Sequence, residues 1–305
     1  MRKLYLGILL LVSMFLLVGC DSKKEVEVTY QQANEMLESV NVEALTDEVL
    51  TLKGKVDLDL AIPSFMEISG NVSFDLVAKL TTLEDFYVVG DLEGEITQKV
   101  TMPQSSEENN KIKFDLKVHI IGKNIYIDGE VTENGKKEDV KFKKSNAIDE
   151  DTFLEIKNAL SQEGEASTPD LPMLTANSNF KMYKVSEGHL LEMTMTLAEI
   201  LEFVASQEPD IEDSLDGFKE TGENKFSVEV VFDDVIKKVD LSYEVNFSVD
   251  MGDQMPGFSF KIDVKSKGEF HLTTKGKAPT MPNMDVLNGY PEAEDDDLIP
   301  PIFGF

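Results

Sequence analysis

The residues with chemistry to offer are few. In a chain of 305 residues there are three histidines, His119, His189 and His271, and one cysteine, Cys20. Acyl-transfer catalysis needs a nucleophile beside a base, and no Gly-x-Ser-x-Gly elbow is present; nor is a His-Glu-x-x-His zinc motif or a phosphate-cradling Walker loop. His119 and His271 each fall in an alternating segment, opposite the apolar residues, where a strand presents side chains to water. His189 follows Ser186-Glu187-Gly188 and reads as a turn residue. A single cysteine permits neither an internal disulfide nor a zinc site built on several thiolates. Acidic runs at Asp210–Asp216, Asp233-Asp234 and Glu292–Asp297 supply oxygen ligands of the kind hard cations bind. None has the spacing of a calcium loop, so they read as solvated charge. The expectation from these residues is a protein that is not an enzyme and uses no metal or cofactor.

Charge narrows the partners. The chain has 29 Lys plus Arg against 58 Asp plus Glu, a net charge of -29. A binder that neutralises nucleic-acid phosphates needs the opposite balance, which excludes nucleic acid as a partner. With 41% hydrophobic residues and 11 prolines the chain can still bury a core. Thirteen methionines, eighteen phenylalanines and no tryptophan fit core packing, with Met193 and Met195 in phase with Leu191 and Leu197.

The one cysteine has a distinctive setting. Arg2 and Lys3 precede an apolar run from Leu4 to Val18, which ends in Leu17-Val18-Gly19-Cys20 and then the polar stretch Asp21-Ser22-Lys23-Lys24-Glu25. The run is shorter than the roughly 20 residues of a spanning helix. This order resembles the lipobox of bacterial lipoproteins, which implies removal of residues 1–19 and acylation of Cys20. Each acyl methylene buried in a bilayer contributes about 0.8 kcal/mol, so the membrane becomes a partner through that lipid. Loss of Arg2 and Lys3 takes the net charge from -29 to -31. Such a body is repelled by anionic headgroups. Residues 20–28 read as the lipidated tether.

The elements that follow must hold whatever site exists. Thr29-Tyr30-Gln31-Gln32 is a capping box opening a helix from about 30 to 40, and a second, weaker helical stretch runs from Val42 to Leu50. From Gly54 the period of apolar residues falls to two, as in Val56, Leu58, Leu60 and Ile62, the mark of a strand with one face packed and one wet. Ile112, Phe114, Leu116, Val118 and Ile120 repeat the pattern, and Asn134-Gly135 signals a hairpin. A helix is expected over about 151–161, and Thr196-Leu197-Ala198-Glu199 is a second capping box opening one over 196–207. Strands return with Phe226 to Phe232, Val239 to Val249, and a closing pair from Phe258 to Leu272.

Short turns between alternating segments predict a mainly β, α+β fold: a strongly curved antiparallel sheet or open half-barrel of about ten or eleven strands, with helices covering the concave face. Behind its lipobox, this order resembles the lipoprotein-carrier superfamily of LolA, LolB, LppX and LprG. The resemblance implies one domain over residues 29–282 and an apolar cavity for lipid between sheet and helices. The expected function is a membrane-anchored, extracytoplasmic binder or carrier of lipid or another apolar ligand. Phe114, Leu116, Val118, Tyr243, Val245 and Phe247 are the expected ligand-binding positions, with helix 196–207 as plug or lid. Residues 283–305 form an acidic then apolar tail, and its end, Leu298 to Phe305, is a candidate site for a protein partner. The alternative function is a surface lipoprotein with a solid core that works through protein–protein contacts.

Overall fold

The computed structural model describes residues 23–63, 65–101, 108–161, 174, 178–199, 218–250 and 261–293. Thirteen strands make a single sheet: β1 (Lys24–Val26), β2 (Leu50–Ile62), β3 (Met66–Lys79), β4 (Tyr87–Val100), β5 (Glu108–Ile121), β6 (Asn124–Glu133), β7 (Lys136–Lys144), β8 (Asn179–Val185), β9 (Gly188–Met195), β10 (Phe218–Glu220), β11 (Lys225–Phe232), β12 (Ile236–Asp250) and β13 (Lys261–Thr273). In space they run β1-β8-β9-β11-β12-β13-β2-β3-β4-β5-β6-β7, and β10 lies in line with β11 along the same edge of β12. All pairings are antiparallel. Among the described residues β1 and β7 do not pair with each other, so the curved sheet stays open, as the alternation predicts.

The closing pair expected from Phe258 to Leu272 is, over the described residues, one continuous strand, β13, which passes through Lys267 and Gly268 without a turn. Two strands the alternation does not mark are β1 and β10, of three residues each. Neither has an apolar pattern, because a short edge strand is held by main-chain hydrogen bonds and needs none. β1 lies inside the segment read as tether: Lys24 to Val26 pair with Lys184 to Met182. The Asn134-Gly135 turn joins β6 to β7 with φ of 51° and 84°, the left-handed pair that a two-residue hairpin of right-handed twist requires.

Register sorts the side chains by face. Met195, Phe226, Tyr243, Gly268, Val56, Val72, Gly94, Phe114 and Val131 stand side by side across nine strands. The adjacent row on the other face reads Lys55, Ser73, Glu93, Asp115 and Glu130. Cross-strand ion pairs such as Lys53–Asp75 at 2.5 Å and Lys113–Glu95 at 2.7 Å lace that polar face. They are exposed, and each contributes about 0–1 kcal/mol.

Helices seal one end of the apolar face. α1 (Tyr30–Glu38), a 3-10 turn (Glu43–Asp47) and α2 (Glu150–Ser161) pack there. The capping box forms as read: the Thr29 N–H donates to Gln32 Oε1 at 2.9 Å, and the Gln32 N–H to Thr29 Oγ1 at 3.3 Å. Ala33, Val40, Leu45 and Phe153 bring this layer into one core with Met182, Leu191, Val230 and Phe232 of one wing and Leu50 and Phe86 of the other.

A third helix, α3 (Met284–Asn288), docks on the opposite, polar face. Leu287 and Tyr290 bury Tyr126, whose hydroxyl donates to Asn288 Oδ1 at 3.1 Å. The chain then runs parallel to the outer edge of β7. The Lys143 N–H donates to the Pro291 carbonyl at 2.9 Å, and the Ala293 N–H to the Lys143 carbonyl at 2.7 Å. The Ser145 N–H and hydroxyl donate to the Glu292 carboxylate at 2.6 and 2.8 Å and hold its carboxyl below the ordinary range. Residues 284–293, part of the expected tail, thus form a clasp over an edge that would otherwise offer unpaired main chain.

The clasp has a titratable latch. The Tyr290 hydroxyl donates to the Asp128 carboxylate, and Lys141 Nζ lies 4.3 Å from the Tyr290 ring centre. Burial, reinforced by Asp128, pushes the Tyr290 phenol from 10.0 up to about 12. A raised pKa means that the protonated form is favoured by the fold, so this stabilisation is full below about pH 10 and is lost as pH rises through 12. Titration of ring-labelled tyrosines by NMR is expected to show one resonance ionising near pH 12 and missing from Tyr290→Phe; ionisation near pH 10 would mean that the latch does not form.

Candidate functional site

The apolar face divides into two halves. Its sealed half lies under α1 and α2. On the distal half, from the Tyr243 row to the Ile62 end of β2, the residues of α1 and α2 are not part of the apolar cluster, and Leu197, at the start of the segment capped by Thr196, is buried. Leu60, Ile62, Val245, Phe247 and Val264 are half-buried there, and Leu58 is 38% exposed.

An aromatic ladder marks the border between the halves. Phe226, Tyr243, Phe270 and Phe74 follow one another with ring centres 6.0, 6.2 and 6.0 Å apart. Glycines let these rings lie flat. A Cβ on Gly268 would stand 2.5 Å from a Tyr243 ring carbon, and one on Gly54 would collide with the rings of both Phe74 and Phe270. Gly94 makes the same room for Phe114. The Tyr243 hydroxyl shares a hydrogen bond of 3.1 Å with Ser266 Oγ, and Ser266 in turn donates to the Asp57 carbonyl at 3.1 Å. An apolar surface with one fixed pair of hydroxyls is the usual makeup of a site for a mostly apolar ligand with a polar end.

The six expected ligand-binding residues fall on this one face, but not in one environment. Phe114 and Leu116 are each 3% exposed and pack with Ile112 and Val131, while Val118 is half-buried. Tyr243, Val245 and Phe247 are half-buried on the distal half, and Phe247 stacks on Phe218 of β10 at 4.6 Å. The surface within reach of a ligand therefore includes Tyr243, Val245 and Phe247, and the ladder residues Phe74, Phe226 and Phe270 join it. Alternation names those three as face residues. Only the glycines, spaced to lie opposite aromatic residues, hint at a ladder. Cys20 and Leu298 to Phe305 lie outside the described residues. So does the candidate helix beyond Glu199, although its capping box forms, with the Thr196 N–H donating to Glu199 Oε2 at 2.7 Å and the Glu199 N–H to Thr196 Oγ1 at 3.3 Å.

The histidines do not assemble. They stand on β5, β9 and β13, at least three strands apart, which is roughly 14 Å. His271 is exposed as expected and pairs with Asp240 at 2.7 Å. Burial opposes the charge of Asp240, but Lys238 and His271 outweigh it and keep its carboxyl below the ordinary range. His119 corrects the sequence reading. Its Nδ1 is buried without a partner, and burial pushes its imidazole pKa down, because neighbouring side chains on β4 and β6 close over that part of the polar face. His189 belongs to β9, not to the turn before it, with its ring 5.9 Å from Phe232. Burial and then Lys184 lower its pKa. Among the described residues no group of three or more His, Cys, Asp or Glu is placed to hold a metal ion. The Asp233-Asp234 pair is a turn, in which the Asp234 carbonyl accepts the Asn41 N–H at 2.8 Å.

Depressions of about 340 to 430 Å³ occur on the polar face and along the β7 edge. One is walled by Lys53, Asp75, Asp91 and His271, another by Lys136, Glu138 and Pro291. They are shallow and charged; Gly54 and Phe74 line the first, and Tyr243 and Gly268 line another. Among the described residues no helix is long and apolar enough to cross a membrane.

Fold and site together define an open, helix-plugged antiparallel half-barrel. No family model and no curated protein matches the chain. Among solved structures it is similar to a β-barrel-like protein of the domain of unknown function DUF1849 from Brucella abortus. The identity is 8%, the match covers 74% of this chain and 98% of that one, and the TM-score is 0.28.

The ladder gives a direct test of its packing. Gly268→Val places methyl groups where the Tyr243 ring lies. The expected cost is about 1–3 kcal/mol, as for other overpacked sites, read as a lower urea midpoint at unchanged slope. An unchanged midpoint would mean that the ring is free to leave the sheet.

Proposed function

We propose that this protein is a non-catalytic, extracytoplasmic lipoprotein, held at a bacterial membrane through lipid on Cys20, that binds lipid or another apolar ligand on the distal half of its apolar face. The observation that carries the reading is the ladder Phe226–Tyr243–Phe270–Phe74 beside half-buried Val245 and Phe247 and exposed Leu58. A soluble protein rarely leaves a contiguous apolar surface of this kind without an occupant. Each ligand methylene buried there contributes about 0.8 kcal/mol, and the Tyr243–Ser266 hydroxyl pair, whose protons are taken by Ser266 Oγ and the Asp57 carbonyl, can accept a hydrogen bond from a donor on the ligand's polar end. The order of a basic head, an apolar run and Cys20, the sole cysteine, supports the anchor.

One observation favours the second reading, a solid-cored surface lipoprotein that meets a protein partner. Phe114 and Leu116, two of the six expected lining residues, are already packed at 3% exposure. In that reading the partner engages the tail Leu298 to Phe305.

Native mass spectrometry of residues 21–305, before and after extraction with organic solvent, separates the two. Bound mass that disappears on extraction is the expected result. A bare mass from several expression hosts, with a partner lost on deletion of Leu298 to Phe305, would overturn the ligand reading in favour of the second.

A further inference from the structure

We infer that the plugged end of the half-barrel faces the membrane and that the distal half of the apolar face points away from it. The inference rests on the proposed lipid anchor at Cys20. Its first support is the length of chain before the fold and the place where the fold begins. Cys20 precedes Lys23 by three residues, which span at most about 11 Å when fully extended. β1 starts at Lys24, opposite Lys184, in the row of side chains that continues through His189, Phe232 and Ile236. That row belongs to the core under α1 and α2, next to the Ser186-Glu187 and Asp233–Val235 turns. The tether therefore leaves the molecule at the sealed end.

The second support is length set against charge. β12 has 15 residues, about 50 Å of strand, and it runs from Ile236 at the sealed end to Asp250 at the far one. A tether of at most about 11 Å reaches only the near end of such a strand. The body carries the excess of acidic residues, so an anionic surface repels the part that the tether leaves free. A short hold at one end and repulsion along the rest set the strands upright. The rim at Ile62, 52%-exposed Phe65 and Met66 then lies farthest from the bilayer. A ligand on the distal half has no direct path to the anchoring leaflet.

Energy transfer in the full-length, lipidated protein tests this. Acylation blocks the thiol of Cys20, so Glu187→Cys at the sealed end or Phe65→Cys at the rim provides the only reactive thiol. Each labelled variant is placed in phosphatidylcholine–phosphatidylglycerol vesicles that carry an acceptor dye on the headgroups. Transfer several-fold more efficient from position 187 than from position 65 is expected. Equal transfer, as from a sheet lying along its β1 edge, or stronger transfer from position 65 would overturn the orientation while leaving the anchor intact. A Cys20→Ala variant that floats with vesicles as fully as the wild type would overturn the anchor, and the orientation with it.

Discussion

The structure depends on one constraint: strands of period two, paired antiparallel, send most of their apolar side chains to one face. From β9 to β6 this produces an apolar surface nine strands wide, and water cannot be left against all of it at roughly 25 cal/mol per Å². The sheet curves, and the helical layer of α1, the 3-10 turn and α2 fills the bend at one end. The rest follows from where that layer stops. Beyond it the sheet supplies its own cover, by rings that lie over glycines in neighbouring strands. The polar face, laced by exposed ion pairs, contributes solubility more than stability.

The aromatic ladder stands where the helical layer ends, and Val245 and Phe247 lie half-buried beyond it. The edges are managed separately. At β7 the segment Pro291–Ala293 occupies the outer N–H and C=O of Lys143, and Tyr290 and Glu292 fix that segment through Asp128 and Ser145. At β1 the edge is three residues long, with Lys24 directly opposite Lys184, a like-charged pair that discourages further strand addition. Both edges are thereby made poorer templates for a further strand.

Much of the scaffold was legible in the sequence because its signals are local. The run from Val239 to Val249 could alternate only as a strand, Asn134-Gly135 could turn only as a hairpin, and Thr29 with Gln32 capped a helix within one residue of its start. What escaped was set at long range. β1 and β10 lack a pattern because backbone pairing, not burial, places them. Nothing in Pro291–Ala293 announces that it will lie along β7, some 150 positions earlier in the chain. His119 alternates like a solvated residue, and its burial depends on side chains of the adjoining strands β4 and β6, distant in sequence from any local signal. Phe114 and Tyr243 have the same alternation and sit in the same row of the sheet, yet one is sealed and the other half-buried. Period two assigns a face. It cannot say which part of that face is covered.

The central claim is that the distal half of the apolar face is the ligand-binding surface, and the most direct measurement is a titration with a fluorescent fatty acid of wild-type protein and of Leu58→Glu. Leu58 is 38% exposed on the distal half, so a carboxylate there can reach water without unsettling the core under α1 and α2. The account predicts saturable binding to the wild type, at least tenfold weaker binding to the variant as a charge is set against the ligand chain, and a similar thermal midpoint for both, since such a shift corresponds to about 1.4 kcal/mol. Equal binding by the two proteins, or no binding by either, would contradict it.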